Sequence, residues 1–316
     1  MNLYDRMYSD QIWSMKYRPK TIEDLLVPSR FKDYFRNIIK DKIIPNLLFY
    51  GSAGVGKTSA AIILSSELDK DVMLINGSLD NSIDTIRGKI TQFVSTVSME
   101  GGKKLVIFDE ADRLSANSLD SLKFFLEEFS SSCSFIFISN HVNKIIPPLI
   151  SRLESFEFSF TKEEQVELKR NFGKVLLDIL KQEGYTEYDK KVLAHVINNN
   201  FPDFRKTLNE TQKIAKQGRL SDLSIIQESS CNMEEYYNIL KTKDFTGLTL
   251  FVASVSDHNA FFSKIYDTCK DFLEPKSLPD LILLTATYAH KSVSMIDQRI
   301  NTCAFSVELM KELEFK

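Results

Sequence analysis

Gly51-Ser-Ala-Gly54-Val55-Gly56-Lys57-Thr58 has the glycine, lysine and hydroxyl spacing of a phosphate-binding loop, GxxxxGK[ST]. Glycines let a backbone curl until its N–H groups point inward at phosphate oxygens. A helix expected from Lys57 to about Leu68 adds its positive N-terminal end, against which Ser59 also stands. Lys57 offers a mobile positive charge to the β- and γ-phosphates, and the Thr58 hydroxyl can ligate magnesium. A second group follows at Leu105-Val-Ile-Phe108-Asp109-Glu110, where four apolar residues deliver two acids to a strand end. In open α/β sheets ligands bind at that edge. Asp109 is placed to hold magnesium, directly or through water, and Glu110 to orient and deprotonate an attacking water. Asn140 ends the next apolar strand. Its amide could bind the γ-phosphate or position the water, or serve only as a turn residue. Together these residues predict binding and hydrolysis of ATP with magnesium.

The elements that must position them follow from the apolar pattern. Phe31, Phe35 and Ile38 recur at helical spacing over residues 31–42, and Pro45 ends that element. Asn46–Tyr50 reads as a strand buried on both faces. Residues 72–75, 104–108 and 134–139 read as further strands, with helices over 82–96 and 118–129. Such alternation predicts a parallel sheet covered by helices. After Phe160 the pattern turns helical, with breaks at Gly184, Pro202 and Gly218, then near Gly247, Asp257 and Pro275–Pro279. Three parts are expected: an α/β ATPase domain over 1–158, a small helical lid over 159–228 and an all-helical domain over 229–316. In that last part Tyr236, Tyr237, Phe261 and Phe262 read as core.

The bulk numbers exclude several classes. The 316 residues allow two or three domains, and 43% hydrophobic with 26% charged residues is ordinary for a soluble globular chain. No apolar run of about 18 residues suggests a membrane span, and the N-terminus has no secretory pattern. The four scattered cysteines lack ligand spacing for zinc. A net charge of −3 excludes a globally basic nucleic-acid binder but not a local basic surface.

In order along the chain stand Lys16-Tyr17-Arg18-Pro19, the phosphate loop, Asp109-Glu110-Ala111-Asp112, Asn140, Ser151-Arg152 and Pro202-Asp203-Phe204-Arg205. This set resembles the AAA+ subunits of sliding-clamp loaders, the replication factor C family, and the layout is nearest that of its phage members. The stretch from Asn140 to Arg152 carries the resemblance to clamp loaders within AAA+. The resemblance implies that the lead-in Ser14-Met15-Lys16-Tyr17-Arg18-Pro19 wraps the adenine, with Leu26 and Val27 lining the other side. It implies that Arg152 is an arginine finger entering a neighbouring subunit's site, stabilising charge on the transferred phosphate. It implies that Arg205 reads the γ-phosphate from the lid of its own chain. Two departures stand out. Leu153 replaces a family cysteine, and Asn117-Ser118-Leu119-Asp120 replaces the alanine-glutamine pair that relays between DNA and the catalytic acid.

The resemblance also implies partners: a sliding clamp, primer–template DNA and other loader subunits in a ring held by the C-terminal collar, in the cytoplasm of a host if phage-encoded. DNA contacts in this family go mostly to phosphates. The helix opening at Ser82 and carrying Arg87 and Lys89 is the leading candidate, with Arg113 behind it. Phe124 and Phe125 are adjacent and cannot both face one core, so one is available to a partner surface. Two other functions fit parts of the pattern. One is another AAA+ machine, a helicase loader or branch-migration motor. The other is a structural ring subunit that binds ATP without cleaving it.

Overall fold

The computed structural model describes residues 11–79, 82–96, 103–225, 233–255, 258–292 and 295–315. The chain forms two compact units, residues 1–221 and 222–316.

In the first unit a short helix α1 (Trp13–Lys16) and helix α2 (Ser29–Asp41) precede strand β1 (Leu47–Tyr50). Helix α3 (Lys57–Glu67), β2 (Val72–Asn76), α4 (Ile83–Ser95), β3 (Lys104–Asp109), α5 (Ala116–Glu128) and β4 (Cys133–Ser139) alternate as expected. Then come the short α6 (Pro147–Ile150) and a fifth strand, β5 (Glu154–Glu157). The strands pair in parallel in the order β2-β3-β4-β1-β5. Sequence reading placed four of these strands and missed β5. Its residues Glu-Ser-Phe-Glu are largely exposed, as an edge strand allows, so no apolar run marks it.

Successive strand residues face opposite layers. Leu47, Phe49, Leu105, Ile107, Ile136 and Ile138 meet α2 and α3 on one side. Leu48, Val106, Phe108, Phe135 and Phe137 meet α4, α5 and α6 on the other. Because both faces are covered, all seven residues of β4 are buried. The sheet therefore delivers the ends of β1, β3 and β4 side by side at its C-terminal edge.

Helices α7 (Lys162–Gln182), α8 (Lys190–Asn200) and α9 (Phe204–Lys216) complete this unit. Thr161 and Glu164 cap α7 reciprocally, a strong start signal. Gly184 and Gly218 follow α7 and α9 in left-handed backbone, as the breaks predict.

The second unit packs α10 (Met233–Thr242), α11 (Phe245–Ser254), α12 (His258–Phe272), α13 (Leu278–Ser292) and α14 (Gln298–Glu312). Tyr236, Tyr237, Phe261 and Phe262 all lie in its core. The Tyr236 hydroxyl meets Ser306 Oγ at 2.8 Å, which satisfies a fully buried polar group. Gly247 does not break a helix. It lies in the first turn of α11, where its N–H donates to the capping Asp244 at 3.0 Å. The break precedes it, at Lys243, which is in left-handed backbone. Asp257 lies outside the described residues. Among the described residues no helix is long and apolar enough to cross a membrane.

Candidate nucleotide site

The phosphate loop links β1 to α3 at the C-terminal edge of the sheet. Lys57 is 5% exposed, and its Nζ donates to Gly51 O at 2.8 Å, Ser52 O at 2.6 Å and Asn140 Oδ1 at 2.9 Å. All three acceptors are neutral. Burial pushes the amine down to about 8; Asp109 and Asp112 oppose the shift, and the nearby Arg205 charge adds to it. Lys57 and Asn140, 83 residues apart, thus share one centre.

Thr58 Oγ1 donates to Asp109 Oδ2 at 3.1 Å. A hydroxyl and a carboxylate so placed are the hard oxygen donors magnesium takes. Glu110 follows in left-handed backbone, φ 54° and ψ 44°, a conformation uncommon for non-glycine residues. Two features hold it there. Its N–H donates to Asp109 Oδ1 at 3.0 Å, and its carboxylate accepts a hydrogen bond from the Ser78 hydroxyl. The turn after β2 comes this close because residue 77 is glycine: a Cβ there would stand 2.3 Å from Glu110 O. Ser78 is a residue that sequence reading missed, since a lone serine after a strand carries no pattern.

Asp112, the last acid of the Asp-Glu-Ala-Asp run, is buried and accepts from the Asn140 N–H at 3.3 Å and meets His141 Nδ1 at 2.8 Å. These bonds hold the Asp112 carboxyl below its ordinary range against the opposing effect of burial. Asp112 therefore anchors the strand end from which Asn140 reaches Lys57.

The lid reaches the loop through the start of α9. Phe204 N donates to Gly54 O at 3.2 Å. Asp203 caps α9 by accepting from Lys206 N at 2.8 Å, and a Cβ on residue 54 would stand 1.8 Å from Asp203 Oδ1. Gly54 is also at φ 73°, a backbone conformation that favours glycine, and a methyl there would displace the Asp203 carboxylate. Arg205, exposed on the first turn of α9, acts electrostatically on both Lys57 and Arg18. Arg18 Nε donates to Ser59 Oγ at 3.1 Å. Lost hydration of its head group and the Arg205 charge push Arg18 down, with Asp109 opposing. Lys57, Arg18 and Arg205 thus crowd one space, and among the described residues no carboxylate lies within ion-pair distance of Lys57. Such an arrangement suits a polyanion. Arg18 was read only as part of the adenine lead-in.

Other expected residues lie apart. Arg152 lies two residues before β5, and Glu154 pairs with Leu47, four residues upstream of Gly51. At the strand rise, roughly 13 Å separates these levels of the sheet. Arg152 Nε instead meets Glu127 Oε1 at 3.0 Å, and its Nη1 meets Pro148 O at 2.8 Å. Ser82 is the N-cap residue of α4 and makes no side-chain cap bond. Arg87 turns toward α5, 3.7 Å from Glu128 and over the Phe125 ring. Lys89, two positions on, points elsewhere around the helix; Lys89 and Arg113 are both exposed. Phe125 is buried at 4% exposure and Phe124 is 58% exposed. Leu119 is buried in the core and offers no polar relay. Met15 is exposed, with Ser14, Tyr17 and Leu26 half-buried.

A parallel sheet with a phosphate loop, paired acids and a strand-end asparagine at one edge defines a P-loop ATPase. Residues 47–161 match the ATPase family associated with various cellular activities (AAA). Residues 164–226 match the sliding-clamp-loader large subunit, AAA+ ATPase lid domain. The chain is 34% identical over 275 residues to the sliding-clamp-loader large subunit of Enterobacteria phage T4, covering 85% of this chain and 86% of that protein. It is 33% identical to the protein of the same name from Escherichia phage RB69, covering 84% and 85%. A replication factor C small subunit of Saccharolobus solfataricus is 35% identical over 66% of this chain and 63% of its own length. The chain belongs to the sliding-clamp-loader large-subunit family of AAA+ ATPases. Among solved structures, the RuvB Holliday junction branch migration motor of Thermotoga maritima matches with TM-score 0.50 at 18% identity, over 72% of this chain and 78% of that one. That likeness is one of fold alone.

Proposed function

We propose that this chain is the ATPase subunit of a sliding-clamp loader, which uses ATP to open a clamp and close it on primed template DNA. The observation that carries the reading is the split of the chemistry between two sheet edges. Lys57, Thr58, Asp109, Glu110, Asn140 and Arg205 gather at one, and Arg152 stands near the other, bonded to Glu127 and to Pro148 O. A site of this kind is completed by a neighbour, so the working unit is a ring of subunits.

Within the site, the loop N–H groups from Gly54 to Ser59 and the Lys57 amine bind the phosphates. Thr58 and Asp109 would hold magnesium, which neutralises phosphate charge and polarises the transferred group when bound. Glu110 takes a proton from the attacking water, and Asn140 positions that water. Arg205 contacts the γ-phosphate and ties lid closure to ATP. Arg152 stabilises the charge developing in the next subunit's site. Ser14, Met15, Lys16, Tyr17 and Leu26 enclose the adenine. Ser82, Arg87, Lys89 and Arg113 offer contacts to DNA phosphates, and the exposed Phe124 belongs to a clamp-facing surface. The ATPase domain spans 1–158, the lid 159–228 and the collar 229–316, and the assembly works in the host cytoplasm.

The test is steady-state ATP hydrolysis by the assembled loader, with and without cognate clamp and primed DNA. Stimulation by the two together supports the reading. Turnover indifferent to both, or stimulated by four-way junction DNA alone, overturns it.

A further inference from the structure

Residues 11–17 are joined to the lid helices at both ends of the segment. At one end, Trp13 N donates to Gln212 Oε1 of α9 at 3.2 Å, and Gln212 Nε2 donates back to Gln11 O at 2.5 Å. The Trp13 ring, 3% exposed, lies edge-on to Tyr185 with 5.9 Å between centroids. At the other end, Lys16 Nζ and the Tyr17 hydroxyl both donate to one oxygen, Glu183 Oε1, each at 2.6 Å. Glu183 is the C-cap residue of α7. The Lys16 charge and the Tyr17 hydroxyl hold its carboxyl below the usual range. One residue further on the attachment changes: Arg18 bonds Ser59, on the helix that follows the phosphate loop. The seam between lid and ATPase domain thus falls between Tyr17 and Arg18, although the chain there is continuous.

We infer that residues 11–17 are mechanically part of the lid, and that Glu183 is a positioning residue which, through Lys16 and Tyr17, sets the wall against which the nucleotide base is bound. The inference rests on the reading of residues 51–58 as the ATP site and of 14–17 as its base-enclosing segment. It has a specific consequence. The base is gripped by the lid and the phosphates mainly by the loop, so a nucleotide must bridge both bodies. A triphosphate without a base bridges them only through Arg205. Glu183 therefore matters for ATP and is indifferent to inorganic tripolyphosphate. No local sequence pattern marks Glu183, which stands 166 residues from Tyr17.

The experiment measures the affinity of the full chain for two probes, ATP and inorganic tripolyphosphate, by calorimetry or competition. Glu183→Ala is expected to weaken ATP about tenfold, the scale of losing a charge-assisted pair of hydrogen bonds. It leaves tripolyphosphate within twofold and raises KM in the assembled loader with kcat unchanged. Glu183→Gln, which keeps an acceptor for Tyr17, restores part of the loss. Gln212→Ala, at the other end of the segment, gives the same split. Equal loss for both probes, or no loss for ATP, overturns the inference. Should Glu183→Ala unfold, Tyr17→Phe removes a single hydroxyl and carries the same comparison. Lys57→Ala separates the underlying reading: it must lose both probes, and retention of both would refute the ATP site itself rather than the role of Glu183.

Discussion

Lys57 shows most directly what burial does to one functional group. Its amine titrates near 8 rather than the ordinary 10.5, because burial disfavours the charge. The sign follows from linkage: between about 8 and 10.5 the unfolded chain binds more protons than the folded one, so this group's contribution to stability rises with pH. Phosphate binding runs the other way, since it needs the protonated amine. Nucleotide affinity should hold below pH 8 and fall as pH rises through it, approaching tenfold per unit above about pH 9. Lys57→Arg should flatten that profile in a pH series of binding isotherms. Glu110 makes a second prediction at this scale. Glu110→Gln removes the proposed base yet keeps the shape, and hydrolysis should drop about 10²–10⁴-fold with ATP affinity within threefold. Turnover unchanged by that substitution would restore the non-hydrolysing ring subunit as a reading. Of the residues in this centre, Lys57, Thr58, Asp109 and Glu110 were legible because a strand, a loop and a helix start give them a spacing. Ser78, Asp112 and Asp203 were not singled out, because their partners are remote in sequence.

Helix α4 is held by a contact its own sequence does not announce. Lys104 opens β3, is 5% exposed, and donates to Phe93 O at 2.7 Å, Thr96 O at 2.6 Å and Thr96 Oγ1 at 2.5 Å. It caps the carbonyls at the end of α4 with a full positive charge, where the helix dipole is negative. Lys104→Met keeps the stem and strands those acceptors, costing about 1–3 kcal/mol in urea denaturation. Since α4 carries the DNA-facing candidates, its position relative to β3 depends on this one side chain. At the other edge of the site, Gly54→Ala strains the phosphate loop, because Gly54 holds φ 73°, and displaces the Asp203 carboxylate that caps α9. ATP affinity should fall at least tenfold while α3 and the sheet stay folded, checked by calorimetry beside circular dichroism. Glycine was readable here as a loop former. Its second duty, admitting the lid, was not.

In the whole molecule, the proposal that Arg152 completes a neighbour's site makes catalysis a property of an assembly. Arg152→Ala should reduce hydrolysis about 10³-fold or more in rings built wholly of the variant, with ATP affinity of the single chain nearly unchanged. Mixing the variant with a Lys57→Ala chain separates cis from trans: a finger acting in the neighbour's site lets a Lys57→Ala subunit supply Arg152 to the Arg152→Ala subunit's intact loop, restoring part of the activity. No recovery, together with a large loss of ATP affinity, would place Arg152 in its own site. DNA binding belongs to this scale too. A net charge of −3 leaves only local patches, so affinity for primed DNA should fall steeply between 50 and 200 mM salt, by about 10³-fold or more if six phosphates are contacted. A flat salt response would overturn the proposal that this chain binds DNA through phosphates.

The sequence by itself determined the chemistry and the layering. Phosphate loops, apolar strands and helix caps are local, and a dozen neighbouring residues suffice to specify each. That is why residues 51–58, the strand ending at Asp109 and Glu110, and the helical character of the remainder were all readable. Tertiary structure alone decided what meets across long separations. It brought Asn140 to Lys57, set Asp203 against Gly54, closed the sheet's edge with the charged strand β5, and turned Arg152 away from its own loop. It also assigned residues 11–17 to the lid, through Glu183 and Gln212. Such pairings depend on how sheet and helices stack, and stacking is a sum over many weak apolar contacts that no short window of sequence contains.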